Sequence, residues 1–143
     1  MKLAIREYWQ NLKTEYESTY KVSIFSDYNV LKEYVERFKT YLNGLLHEHP
    51  HDLNIVCALA TVEQVLRHEE NSIQLLEEFL RKYIEELSDT DKARVYTNLA
   101  FYYNDEGNIK EYDYLSAAIK LKSPYIETYR GLALYHFSAY REK

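Results

Sequence analysis

A motif that occurs twice, 33 residues apart, constrains this chain more than any other feature of it. Tyr96-Thr97-Asn98-Leu99-Ala100-Phe101-Tyr102-Tyr103 is echoed by Tyr129-Arg130-Gly131-Leu132-Ala133-Leu134-Tyr135-His136. A ring, then Leu-Ala three residues on, then a ring three further on marks one face of a helix. Repetition at a period in the thirties is the pattern of stacked helical hairpins, each too thin to bury its apolar face alone. The echo therefore speaks to how the chain is built and only weakly to what it binds.

Composition agrees with helices. A chain of 143 residues fits one domain, and a domain of that size buries about 68–70% of its unfolded surface. Only three Gly and two Pro interrupt a sequence rich in Leu, Glu, Lys and Tyr, which favours helix over sheet. A net charge of −5 argues against a general attraction to nucleic acid or to anionic membranes. One cysteine, Cys57, permits no internal disulfide and suits a reducing compartment. The N-terminus has too short an apolar run for a signal-peptide core, and no stretch reads as membrane-spanning. The expectation is a cytoplasmic protein.

Seven stretches carry helical periodicity. Ile5, Tyr8, Leu12 and Tyr16 share one face of the first, and 20–27 reads as a connection in which Ser26 or Asp27 caps the second helix. Leu31, Val35, Phe38, Leu42 and Leu45 stripe that helix, which Pro50 ends while itself fitting the first turn of the next. The third runs from Leu53 to His68; the fourth follows Glu70-Asn71-Ser72 and extends to Leu87. Ser88 to Asp91 is a cap-rich break before the fifth, which Gly107 is placed to close. Ile109, Tyr112, Leu115, Ala118 and Ile119 stripe the sixth, and Ser123-Pro124 starts the seventh. Ala60, Ala100 and Ala133 are small where a partner helix is expected to cross closely. Helices joined by such short turns lie antiparallel beside each other.

These residues resemble the tetratricopeptide repeat family. Over 93–124, Tyr96, Leu99-Ala100, Tyr103, Gly107, Ala118 and Pro124 follow its aromatic, Leu-small, aromatic, Gly, Ala and Pro landmarks, with a one-residue slip between Gly107 and Ala118. Val56, Leu59, Ala60 and Pro50 echo another copy, 40 residues upstream from Leu59 to Leu99. The resemblance implies an all-α protein, an α-solenoid of antiparallel helix hairpins, with a degenerate hairpin at 1–50, repeats at 51–90 and 91–124, and a half repeat or capping helix at 125–143. It also implies a non-catalytic scaffold or adaptor that holds a protein or peptide in a concave groove. Asn54, Thr61, Arg94, Asn98, Phe101 and Arg130 fall at groove-facing places, with Cys57 and Leu134 beside them. The family often grips a peptide carboxylate with Lys and Asn; here Asn98 alone matches, and Arg94 and Arg130 supply charge suited to an acidic peptide. A peptide-sensing or scaffolding segment of a larger bacterial regulator is the alternative, and an exposed face on the last helix would permit homodimerisation.

No sequence pattern supports catalysis or a cofactor. His47, His49 and His51, with Glu48, Asp52 and Cys57, are the residues a small metal-dependent enzyme would use, but Pro50 breaks the helix and points the rings apart. They read as a solvated loop. Asn104 to Asn108 lacks an acidic residue where a calcium loop begins. Glu77, Glu78, Glu85 and Glu86 read as an exposed face, with Glu78–Lys82 as a supporting pair. The tyrosines read mainly as core-edge residues, while Tyr102, Tyr114, Tyr125 and Tyr135, off the stripes, are the candidates for a contact surface.

Overall fold

The computed structural model describes residues 1–104 and 108–141, with side chains to residue 138. Among these residues the chain is all-helical, with no strand. The α-helices are α1 Lys2–Tyr20, α2 Tyr28–Glu48, α3 Leu53–Val65, α4 Glu69–Tyr83, α5 Asp89–Tyr102, α6 Ile109–Lys120 and α7 Ile126–Arg141. Short 3₁₀ helices at Ile24–Ser26 and Ile84–Glu86 complete the order. No described helix is long and apolar enough to cross a membrane.

Side-chain caps set where helices begin. The Asn29 N–H donates to Asp27, that of Asn54 to Asp52, that of Asp91 to Ser88 and that of Lys110 to Asn108, each satisfying a free first-turn donor. Helix ends are closed without glycine. Lys21, Arg67 and Lys122 take the left-handed conformation, with φ of 59°, 65° and 58°. After α3 and α6 the His68 N–H reaches Glu63 O and the Ser123 N–H reaches Ala118 O, the wider bond of a Schellman closure. Gly107, expected to close α5, lies outside the described residues.

Local structure departs from the sequence reading in several places. The 20–27 connection contains a 3₁₀ turn because Ile24 is fully buried and its N–H donates to Glu17. Pro50 precedes the cap of α3 instead of entering its first turn. α4 begins at Glu69, before the expected break, and places Ser72 in its buried interior. There the Ser72 Oγ–H donates to Ala60 O at 2.6 Å, so the small residue at 60 and the hydroxyl at 72 draw α3 and α4 together.

Residues 1–75 and 76–143 form two compact units, divided within α4. In the first, α1 and α2 run antiparallel, as the pairs Tyr8–Tyr41, Tyr16–Tyr34 and Glu15–Arg37 require. Leu12, Val35, Phe38, Leu42, Ile55, Leu59, Val62 and Leu66 form its core. α3 is buried on most sides, so its one buried carboxylate needs partners. Glu63 has them: Lys39 Nζ lies 2.6 Å away, the Asn71 amide donates at 3.0 Å, and His68 Nδ1 lies at 3.3 Å. Burial by itself would raise the Glu63 pKa; the hydrogen bonds from Lys39, Asn71 and His68 and the charge of Lys39 outweigh it and leave the group below its usual value.

In the second unit Leu76 and Phe79 of α4 are buried, as are Ala93, Val95, Leu99 and Ala100 of α5 and Leu115 and Ala118 of α6. α5 and α6 pack side by side and α7 packs on both. Glu77, expected on an exposed face, is half-buried and accepts hydrogen bonds from Tyr103 at 3.1 Å and Tyr114 at 2.5 Å. The Tyr114 ring stacks against both Tyr96 and Tyr103. Burial, reinforced by Glu77, raises the Tyr114 pKa, which keeps its hydroxyl a donor. Tyr102, Tyr125 and Tyr135 are half-buried as well, so the four off-stripe tyrosines do not form a free surface. Ala60 and Ala100 are buried as expected, whereas Ala133 is exposed because no described element covers that side of α7.

Replacing Lys39 by Ala leaves Glu63 buried with two weaker partners and is expected to cost about 1–3 kcal/mol. Because the folded pKa of Glu63 is lowered, its stabilisation is complete above the ordinary Glu range near about pH 4.3 and is lost as pH falls through the lowered value. The acid limb of the variant's stability curve, measured by urea unfolding from pH 3 to 7, should be shallower than the parent's. Parallel curves would contradict this role.

Candidate functional site

Each unit holds an apolar-walled cavity, and these two differ in chemistry. In residues 1–75 a cavity of about 370 Å³ is bounded by Ile5, Trp9, Phe25, Phe38 and Val62, with Arg6 and Thr61 its only polar lining. In residues 76–143 a cavity of about 320 Å³ opens among α5, α6 and α7. Ala100 and Phe101 of α5, Leu115 of α6 and Leu134 of α7 give its apolar walls, while Thr97, Asn104, Glu111, Glu127 and Arg130 bring polar groups to it. A mostly apolar pocket with a few convergent polar groups is the usual form of a ligand site, and this volume is at the small end of that range.

Sequence spacing builds this cavity. Gly131 lies on its wall, and a Cβ there would come 3.1 Å from a Leu115 methyl carbon. The glycine lets α7 approach α6. Behind the wall, Thr97, Thr128 and Ser123 form a buried hydroxyl chain with links of 2.7 Å. Its direction follows from its ends. Thr97 donates to Ala93 O and the Tyr125 N–H donates to Ser123, so Ser123 donates to Thr128 and Thr128 to Thr97. Each hydroxyl gives one hydrogen bond and takes one, which locks the start of α7 onto α5.

Glu111 makes no such bond and leaves its carboxyl oxygens to solvent. Its residue is 8% exposed, it lines the cavity, and its carboxyl makes no hydrogen bond or ion pair among the described residues. Burial pushes its carboxyl pKa above the usual range. A carboxylate on the wall of a mostly apolar cavity, its oxygens still within reach of solvent and with no donor from the described residues, is the feature in this unit that packing does not explain.

The expected groove residues are dispersed. Phe101, 58% exposed, and the exposed Arg130 line the second cavity, with Leu134 beside them. Arg94 and Asn98 are half-buried on α5 outside its lining. Asn54 and Thr61 belong to α3 in the first unit, where Thr61 borders the other cavity and its hydroxyl donates to Cys57 O. Cys57 is buried. His47, His49 and His51 are exposed, and no three His, Cys, Asp or Glu side chains converge among the described residues.

Glu111 was not among the sequence candidates, although its spacing carried a signal. Glu111, Leu115 and Ala118 stand at i, i+4 and i+7 and are all buried, while Ile109, expected inward, is 59% exposed. Glu63 shows the same offsets with Leu59 and Leu66. An acidic residue on the core register of a helix, here paired once and unpaired once, was legible in that pattern.

Because the folded state holds the Glu111 proton more tightly than the unfolded chain, this group subtracts stability as pH rises from about 4.3 through its raised value. Glu111→Gln removes the charge at similar shape. The variant is expected to be more stable than the parent at pH 7 and close to it at pH 3.5, as read by urea unfolding. Equal stability at both values would show that the carboxylate is not desolvated.

No known protein family, no curated protein and no solved structure is matched by this chain.

Proposed function

We propose that the chain is a non-catalytic peptide- or protein-binding module, built as a tetratricopeptide-like solenoid, which seats a partner segment in the cavity among α5, α6 and α7. The observation that carries this reading is the pairing of Phe101 and Leu134, 58% and 57% exposed, at the walls of a pocket whose deeper lining is buried. Large apolar side chains left open beside a concave, partly polar site are a common mark of partner contact. Support for the solenoid comes from the echo. Leu99 and Leu132 hold equivalent places in α5 and α7, and the residues between the landmarks, Phe101 and Leu134, meet at one cavity. A reducing, cytoplasmic setting fits the single buried thiol of Cys57.

Selection from a random peptide library displayed on phage tests the reading. Enriched peptides are expected to bind the parent and to weaken about tenfold or more against a Phe101→Ala, Leu134→Ala double variant, the loss of two large apolar contacts. Circular dichroism should show the variant folded, since both side chains are mostly solvent-exposed. Peptides that bind parent and variant alike, or a library that yields none, would overturn it.

A further inference from the structure

We propose that the cavity among α5, α6 and α7 receives the side chain of a lysine from the partner peptide, with its ammonium group against the Glu111 carboxylate. This inference rests on the peptide-binding reading above and names what the pocket selects.

Three observations point to an alkylammonium group. Glu111 is more than nine-tenths buried as a residue, lines the cavity, and its carboxyl, whose oxygens still reach solvent, carries no partner among the described residues. Among the described residues the ionisable lining is net negative: α5 contributes none, α6 contributes Glu111, and α7 contributes Glu127 and Arg130, whose formal charges cancel. The remaining wall is apolar at Ala100, Phe101, Leu115 and Leu134, matching a methylene stem with a charged tip.

Other side chains fit less well. A carboxylate would meet Glu111 and Glu127. A purely apolar group would desolvate Glu111 further and give it no donor. A guanidinium is a wide planar fork, whereas an ammonium is a compact point charge at the end of a methylene stem and needs less room beside the apolar walls. The side-chain acceptors on the lining are the Glu111 and Glu127 carboxylates and the Asn104 amide oxygen, since the Thr97 hydroxyl is engaged by Ala93 and Thr128. The charge that burial disfavours in the free protein is then stabilised in the complex, so binding draws the proton off Glu111 and strengthens as pH rises through its raised pKa.

The experiment is an NMR titration of the ¹⁵N-labelled chain with Nα-acetyl-lysine methylamide, its Nε-acetylated form and n-butylamine. The lysine probe should shift the Glu111, Leu115 and Gly131 amides saturably and bind more tightly at pH 7.5 than at pH 5. Nε-acetylation, or Glu111→Gln in the protein, should weaken binding about tenfold or more, the loss of a charge-assisted hydrogen bond. Absent shifts at these amides, or unchanged affinity with Glu111→Gln, would overturn the proposal; that variant retains the shape and removes a buried charge, so it should fold. n-Butylamine binding as tightly as the lysine probe would also overturn it, by assigning the pocket to free amines. Library peptides that need Phe101 and Leu134 but contain no lysine would refute this inference and leave the peptide-binding reading intact.

Discussion

A carboxylate taken out of water needs donors inside the fold to replace those of the solvent, and this requirement organises the chain beyond its apolar packing. Leucines and alanines bring the helices together without saying which turn meets which. Glu63 fixes that in residues 1–75, where Lys39 on α2, the Glu63 carboxylate on α3 and Asn71 on α4 must align for the charge to be held. Glu77 does the same for α4, α5 and α6 through the hydroxyls of Tyr103 and Tyr114. Hydroxyls serve the same end where α7 meets α5, along the chain from Tyr125 to Ala93.

Against this pattern Glu111 stands apart. The unit around it pairs Thr97, Ser123 and Thr128 inside the fold, yet gives the Glu111 carboxylate no donor among the described residues and leaves its oxygens to solvent at the cavity wall. A neutral residue there would fold at lower cost. Under the proposal that the pocket takes a lysine, the charge is a binding group held ready, its cost borne by the free state and relieved by the ammonium. Around it, Gly131 leaves room for the Leu115 methyl groups where α7 meets α6, and the hydroxyl chain ties α7 to α5.

Much of the architecture was legible in the sequence, for identifiable reasons. Seven helices follow from apolar periodicity, and Asp27 and Ser88 announced their own caps. What escaped was set by tertiary contacts. Ile24 reads as loop until a buried place exists for it, and Ser72 reads as a turn residue until the Ala60 carbonyl is within reach of its hydroxyl. Helix ends were hard to place because Lys21, Arg67 and Lys122 stand where glycine would have signalled a stop. The echo overstated the likeness of its copies. Leu99 and Ala100 are buried while Ala133 is exposed, since a packing code is expressed only where another helix covers it. The site was the least legible part: Phe101 and Arg130 line the pocket, but so does a carboxylate that composition alone assigns to solvent.

The most direct test of this account is the pKa of Glu111 itself, measured by ¹³C NMR of its side-chain carboxyl in the free chain and with the lysine probe bound. The account predicts a titration above that of an ordinary glutamate in the free protein, falling when the ammonium binds. An ordinary value that does not respond to the probe would contradict it.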